Sequence, residues 1–481
     1  MRLLQLLKRK TLPVKTGRTF GRSLHQSADI SRLTNDWTTV PVPIDQTLLN
    51  DLSVLRARSR EQVLNNDYAR RFIKMVQTNV VGSRGMTMQA QIRDADGTLD
   101  RLANDSIESQ WKSWSSASNC DITKTRTWTM IQQLAMHSVM QDGEAVTLIH
   151  RNRDGMTLEL VDPELLPIQH NRILNNGNHI RMSIEFNSNR QPVAYHILDN
   201  AQNDMSYGYS GRRYIRISAD DVVHTFIPEF VGQSRGRPAL STALMRMNML
   251  QGYEDASLTN ARIGASKMGF FESETGDGYV GDDANDGTIV MDAEPGVFEQ
   301  LPMGVKFQSY DPSYPTGEFG DFVKANLRGI ASGLGVDYSS FSNDLEGVSF
   351  SSGRIGMLEM RETWKTMQEW FAEAFCQRIF QAWLQHMLTL GKLTVVGKEL
   401  PMHKIDKFKR VNFQGRRWDW VDPKKDMEAN RTAIELGLKS RSEIIRDIGR
   451  DPDEVWREIQ KETELLIQMG IIEAKGADDE Q

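Results

Sequence analysis

From Gly353 to Leu390 the chain carries Trp364, Met367, Phe371, Phe375, Ile379 and Trp383, spaced three or four residues apart. That spacing lines up one face of an α-helix. At 1.5 Å per residue such a helix is roughly 55 Å long, well beyond the ~30 Å width of a small domain. It acts as a spine on which several elements pack, or as one core helix with a wide apolar face; the two readings are compatible. With 481 residues, roughly two to four domains are expected, ample sequence to cover a spine.

Upstream, Tyr68, Phe72, Met75 and Val76 recur at helical spacing, predicting a helix over 61–80 that Gly82, Ser83 and Gly85 end. A second helix is expected at 98–116 with Trp111 and Trp114. A third, at about 124–141, has Asp121 or Thr123 as its N-cap and stops near Gly143. The period then changes. Strands are expected at 145–149, 156–161, 180–186, 193–198, 214–217 and 222–226, with hairpin connections at Arg153-Asp154-Gly155 and Asn187–Arg190. This is an α+β body with a mainly antiparallel sheet.

After Pro238, which suits a first helical turn, Leu240, Leu244, Met247, Met249 and Leu250 support a long helix to about Met268. Residues 270–317 are rich in Gly, Asp and Pro, with strand-like pieces at 288–291 and 306–309. Helix returns at 317–333, marked by Phe319, Phe322, Val323, Leu327 and Ile330. A polar stretch at 339–353 leads into the spine. Short strands at about 393–396 and 408–413 follow, and then a helical tail over 423–470 broken at Gly437 and at 449–452. Two helices flanking an insertion can stand side by side and carry it away from the body.

Charge and chemistry narrow the function. The 58 basic and 64 acidic residues leave a net charge of −6, which disfavours a chain that coats itself with nucleic acid. No run reaches the ~18–20 apolar residues that span a bilayer. Cys120 and Cys376 are far apart and have no CxxC partner, so neither a disulfide framework nor a zinc knuckle is expected. The 23 methionines hint at extensive packing or subunit interfaces. Residues 1–28 contain seven Lys or Arg and no acid, the composition either of a basic arm or of a transit peptide.

Catalytic patterns are missing. Gly391-Lys392 lacks the upstream glycine and the following hydroxyl of a phosphate loop, and no G-x-G-x-x-G follows an expected strand. Ser109-Gln110-Trp111-Lys112 fits S-x-x-K, but no K-T-G follows it in the chain. The nine histidines are scattered. Asp277, Asp282, Asp283 and Asp286 with Gly287 invite a calcium reading, but the alternating ligands and terminal Glu of an EF-hand are not in place. No cofactor, metal or catalytic group is expected. An enzyme whose site is assembled from dispersed residues, a cytosolic hydrolase or a nucleic-acid enzyme, stays open at this point.

Several segments, in order, resemble the lambda-type branch of the bacteriophage portal protein family. They are Asn66-Asp67-Tyr68-Ala69-Arg70; Asp142-Gly143-Glu144-Ala145; Leu160-Val161-Asp162-Pro163-Glu164; Gln191-Pro192-Val193-Ala194-Tyr195; and Asp221-Val222-Val223-His224. Gly232-Gln233-Ser234-Arg235-Gly236-Arg237-Pro238, Gly335-Val336-Asp337-Tyr338, Phe350-Ser351-Ser352-Gly353-Arg354, Trp420-Val421-Asp422-Pro423 and Gly437-Leu438-Lys439-Ser440 continue the series. The resemblance runs from about residue 60 to 475 and leaves the first 60 residues outside it.

The resemblance implies a portal-type α+β fold: a basic arm at 1–60, a wing at 61–235 and 353–422, stem helices at 236–269 and 317–340, a clip at 270–316, a tunnel loop at 341–352 and a helical crown at 423–481. It implies a dodecameric ring of identical copies at the portal vertex of the virion capsid, assembled in the host cytoplasm, with double-stranded DNA passing through its channel. Implied partners are the major capsid protein, a terminase motor docked on the clip, and later the head–tail connector proteins. Force supplied by a separate motor agrees with the missing ATP site. Asp321, Lys324 and Arg328, at i, i+3 and i+7 on one helix face, are expected to line the channel as a mixed-sign stripe. A solvated face or an intersubunit salt-bridge seam is the alternative. In the tunnel loop, Asn343, Asp344, Glu346, Gly347, Ser349 and Ser351 are expected to brush DNA; a plain interhelical linker is the alternative there.

Overall fold

The computed structural model describes residues 32, 35–199, 213–265, 269–273, 305–309, 319–418, 423–448, 450 and 452–471. The chain enters through α1 (Ile44–Asn65), α2 (Asp67–Val76) and a π-turn at Gln77–Val81. Strand β1 (Thr87–Ala90) and helices α3 (Arg101–Trp114), α4 (Ala117–Cys120) and α5 (Trp128–Asp142) follow. The helix starts are set by side chains that satisfy otherwise unpaired N–H groups. The Asn66 side chain accepts from the Tyr68 and Ala69 amides, Asp100 from Ala103, and Thr127 from Met130.

Two antiparallel sheets come next. Strands β2 (Glu144–Asn152) and β3 (Gly155–Val161) pair with β9 (Val222–Phe226) in the order β3-β2-β9. The other sheet runs in sequence order: β4 (Arg172–Ile173), β5 (His179–Arg181), β6 (Ile184–Phe186), β7 (Pro192–Leu198) and β8 (Tyr214–Ser218). Every ladder is antiparallel, as the sequence predicts.

Helix α6 (Leu244–Ala265) and α7 (Phe319–Leu334) lie antiparallel. Thr242 Oγ1 donates to the Gly333 carbonyl at 3.0 Å, and further along Tyr253 packs on Phe322 and Phe319 with ring centroids 5.0 and 5.5 Å apart. Between the two helices in sequence, β10 (Gly269–Ser273) pairs with β11 (Val305–Ser309). A short α8 (Tyr338–Ser342) then leads to the spine: α9 (Phe350–Phe371), a π-turn at Ala372–Gln377 and α10 (Arg378–Thr389). The hairpin β12 (Thr394–Val395) and β13 (Lys398–Glu399), α11 (Ile405–Phe408) and β14 (Val411–Gln414) close the body, β14 pairing with β1. Helices α12 (Pro423–Glu435), α13 (Arg441–Asp447) and α14 (Pro452–Gln468) form the tail.

The spine does organise the core. Phe371, Phe375, Ile379 and Trp383 are fully buried, and Trp364 nearly so. Trp111 of α3 sits in an aromatic cluster with Trp114, Trp128, Phe380, Trp383 and Phe413, its ring 4.5–6.1 Å from each. The π-turn places one extra residue in the helix and rotates its apolar face. Cys376 and Phe380 thereby join Phe375 and Ile379 in the interior.

Four expectations need correction. Residues 44–60 belong to a packed helix rather than to an arm: Leu48 and Leu52 are buried against Ile168 and Met182. Further along that face Arg56, Ser59 and Gln62 are buried beside Val63, so its apolar periodicity is interrupted. Residues 180–186 are two strands rather than one, because Met182 and Ser183 take φ of +47° and +68° and reverse the chain. Helix α5 starts at Trp128 under a Thr127 cap. Asp121 instead closes the preceding turn, accepting from the Thr123 hydroxyl and from the Thr125 and Arg126 amides. Phe408 ends a helical turn, and the final strand begins only at Val411. The expected strand at 288–291, the Asp277–Gly287 cluster and the 1–28 basic segment lie outside the described residues.

Candidate functional site

Four of the nine expected site residues, Lys324, Arg328, Asp344 and Glu346, meet in contacts where α7 faces α8 and the loop after it. Lys324 projects from α7, its ammonium 2.6 Å from Glu346 and 3.7 Å from Asp344. Asp344 also accepts from the Tyr338 hydroxyl at 2.7 Å, and Arg328 lies over the Tyr338 ring at 5.3 Å. Asn343 adopts the left-handed conformation that ends α8 and accepts from Arg71 of α2 at 2.8 Å. Arg71 also donates to the Ser340 carbonyl at 3.1 Å. The loop is internally tied: the Glu346 amide donates to Asp344 Oδ1 at 3.0 Å, and the Gly353 amide to the Ser349 carbonyl at 2.9 Å. Gly347 turns the chain with φ +73°.

Lys324 therefore spends its charge on the loop of its own chain. The carboxylates beside it raise its affinity for a proton, the Glu346 contact most. Tyr338 and the Glu346 amide hold the Asp344 carboxyl below its usual range, with Lys324 adding to the effect. Asp321 and Arg328 are exposed. Ser351 falls in α9, and its side chain lies outside the described residues. Arg71 and Tyr338 escaped the sequence reading, although Tyr338 stood in one of the quoted segments.

A second cluster, which the sequence reading did not single out as a site, is buried where α1, β2, β9 and the 232–238 segment meet. The Glu144 carboxylate accepts from Arg56 Nη2 at 2.6 Å, from Arg235 Nε at 2.9 Å and Nη2 at 2.5 Å, and from the Gly236 amide at 2.9 Å. His224 Nε2 adds a contact at 3.0 Å. All four side chains are buried, and Glu164 stands 3.4 Å from Arg56. Burial works against the Glu144 charge, yet Arg235, Arg56 and His224 together hold its acidity well below the usual carboxylate range. Burial also pushes the His224 imidazole down. A neutral ring then donates from Nε2 to Glu144, and its Nδ1 faces the Tyr195 hydroxyl at 3.5 Å. Two guanidiniums, two carboxylates and a neutral imidazole balance in charge.

Arg60 extends the network, donating to Asp142 and to Asp162 at 2.7 Å each. The backbones of Gly143 and Gly236 touch: a Cβ on Gly236 would lie 2.0 Å from the Gly143 carbonyl oxygen. Five of the segments quoted above thus converge on one buried point. It fastens the 232–238 segment, which leads into α6, to the sheet. Nothing in it faces a substrate-sized opening; its capacity is positional.

A third feature is a groove of about 630 Å³ between α6 and α7, lined by Met245, Arg246, Met249, Tyr253 and Phe322 among others. Met245, Met249 and Phe322 are 65%, 67% and 50% exposed. Among the described residues no group of three or more His, Cys, Asp or Glu is placed to hold a metal ion, and no helix is long and apolar enough to cross a membrane. Cys120 and Cys376 are both buried and unpaired.

The family described as phage portal protein, lambda family, matches residues 31–368. The chain is 34% identical over 452 residues to a probable portal protein of Halomonas phage phiHAP-1, covering 92% of this chain and 86% of that one. It is 22% identical over 489 residues to portal protein B of Escherichia phage lambda, covering 89% and 86%. Among solved structures, a chain from the neck of an empty gene transfer agent particle aligns over 87% of this chain and 97% of its own, at 13% identity and a TM-score of 0.44. The family match begins at residue 31, so the expectation that the first 60 residues stand outside the resemblance is overturned for residues 31–60 and not for those before them.

Proposed function

Because this chain belongs to the lambda family of phage portal proteins, we propose that it is the subunit of a portal ring, a dodecamer at one vertex of the virion capsid through which double-stranded DNA is packaged and ejected. The observation that carries the reading beyond family membership is the antiparallel α6–α7 pair with its exposed apolar groove. A lone chain gains nothing by leaving Met245, Met249 and Phe322 in water, whereas copies closing around an axis bury them between neighbours. In this reading α6 and α7 are the stem, 270–316 the clip, 341–352 the tunnel loop, 423–481 the crown, and the rest of the body, now including α1, the wing. Asp321, Lys324 and Arg328 face the lumen. Their mixed signs keep net attraction for a sliding polyanion small, since each side chain is repeated around the ring.

The ring assembles in the host cytoplasm and is seated among copies of the major capsid protein. Terminase docks on the clip during packaging, and head–tail connector proteins replace it afterwards. The protein supplies a conduit and no chemistry of its own. The dispersed-site enzyme and the imported mitochondrial protein are not favoured, since the family and the relatives named above all carry the portal description.

Sizing with negative-stain imaging of the purified chain should return a large ring with a central hole; a compact monomer or dimer would sink the reading. Deleting 343–350 should leave rings assembling while DNA packaging or retention is lost. If the rings themselves fail, the loop is structural.

A further inference from the structure

The loop after α8 is held to the stem by contacts of an unusual kind. Its apolar side chains pack little: Leu345 is 72% exposed, and Val348, 36% exposed, lies against Gly353 at the start of the next helix. What holds it is charge. Two carboxylates, Asp344 and Glu346, bracket the single ammonium of Lys324, and Glu346 itself is 80% exposed. Behind them a relay runs from Arg328 over the Tyr338 ring, and from the Tyr338 hydroxyl to Asp344. On the opposite side Arg71 grips Asn343 and the Ser340 carbonyl. The Asp344 carboxylate also accepts the Glu346 amide, so both anionic side chains are presented on one tight turn.

Two anionic groups two residues apart on one turn, aimed at one cation, reproduce what a phosphodiester backbone offers to the same cation. We propose that Asp344 and Glu346 are a built-in phosphate mimic: they occupy a phosphate-binding position at Lys324 until duplex DNA fills the channel, and DNA then takes Lys324 and releases the loop from the stem. The proposal rests on the channel reading above. Magnitude favours a switch over a fixture. Exposed ion pairs of this kind bias an equilibrium by roughly fivefold or less, whereas a polyanion gains from every counterion it releases. A polyanion therefore outcompetes the loop at low and moderate salt. Glu144, with Arg56, Arg235 and His224 about it, is buried and has no such competitor.

The test uses assembled rings of the full chain. Cys120 and Cys376 are buried, so a Leu345→Cys variant takes a maleimide fluorophore at the loop alone. Fluorescence anisotropy then reads loop mobility. Lys324→Ala, and Asp344→Asn combined with Glu346→Gln, should each loosen the label, while Lys324→Arg should keep it held. A 30-base-pair duplex added to rings whose only change is the labelled Leu345→Cys should loosen the label to the same level, an effect that added salt abolishes. The Asn/Gln double variant should bind that duplex about two- to fivefold tighter per site, because Lys324 is no longer occupied. A label indifferent to both charge changes overturns the latch. A label that answers the charge changes but not DNA, in rings with an open lumen, overturns the phosphate mimicry. Particles that lack a lumen overturn instead the channel reading beneath it.

Discussion

At the scale of single residues, the strongest constraint is the buried Glu144 carboxylate between Arg56 and Arg235. A buried pair is costly to form and costlier to break, because the surviving charge is stranded away from water. Arg235→Met should therefore lower stability by about 3–5 kcal/mol in a denaturant titration. An exposed change such as Arg431→Ala, which removes an i,i+4 pair with Glu435, should cost less than about 0.5 kcal/mol. Gly236→Ala should also be severe, since its Cβ meets backbone rather than a side chain that can swing away. Glu185 supplies a pH signature. Hydrogen bonds from Arg216, then from Asn178 and His196, overcome burial and bring its pKa down to about 2, from an ordinary 4.5. Its folded-state value is depressed, so the stability it contributes is complete above the unfolded value and drains away as pH falls from 4.5 toward 2. Glu185→Gln should be less stable than the parent at pH 7 and converge with it near the acid end, read from unfolding midpoints across that window. Parallel curves would refute the assignment.

At the scale of elements, the spine, the flanking helices and most strands could be read from period alone, because each buries one face and period reports that face. Two elements could not. Half of the buried face of α1 is arginine, serine and glutamine, and these residues look like solvent-facing ones until their partners are known. The β5–β6 turn has the alternation of a continuous strand, Ile180-Arg181-Met182-Ser183-Ile184. Only the packing of Met182 under α1, with Ser183 donating to the Pro167 carbonyl at 2.7 Å, stabilises the two left-handed residues. For the stem, Phe322→Glu places a charge in the α6–α7 groove at a half-exposed position, where the single chain can tolerate it. Helicity by circular dichroism should be unchanged and ring formation by sizing should be lost. Rings that persist would show that the groove is not where copies meet.

At the scale of the molecule, stability is unevenly shared. The aromatic cluster around Trp111 and Trp383 welds α3, α5 and the spine into one unit. The tail is different: Trp456, Ile459 and Leu465 of α14 are 40%, 45% and 49% exposed. Its ion pairs to the body, Arg354–Asp426 at 3.6 Å and Arg457–Asp105 at 3.7 Å, are of the weak surface kind. Truncation after residue 422 should leave the melting midpoint of the body within about 4 °C of the full chain by calorimetry. A larger fall would mean that the tail is integral to the core.

From the sequence alone come the helices and strands with strong period, the break at residue 236, the stem pair and the family, because all of these are written in short-range spacing or in segments compared position by position. What only the tertiary structure decides is which charges meet. Arg56 and Arg235 reach Glu144 across 88 and 91 residues of chain, and Arg71 reaches Asn343 across 272. Local spacing carries no record of such pairings: a charged side chain looks the same in sequence whether it faces water, a buried carboxylate or the loop of its own stem. Only the folded chain, by removing water from some of those charges and leaving others within reach of it, separates the buried network at Glu144 from the exposed ion pairs at Lys324.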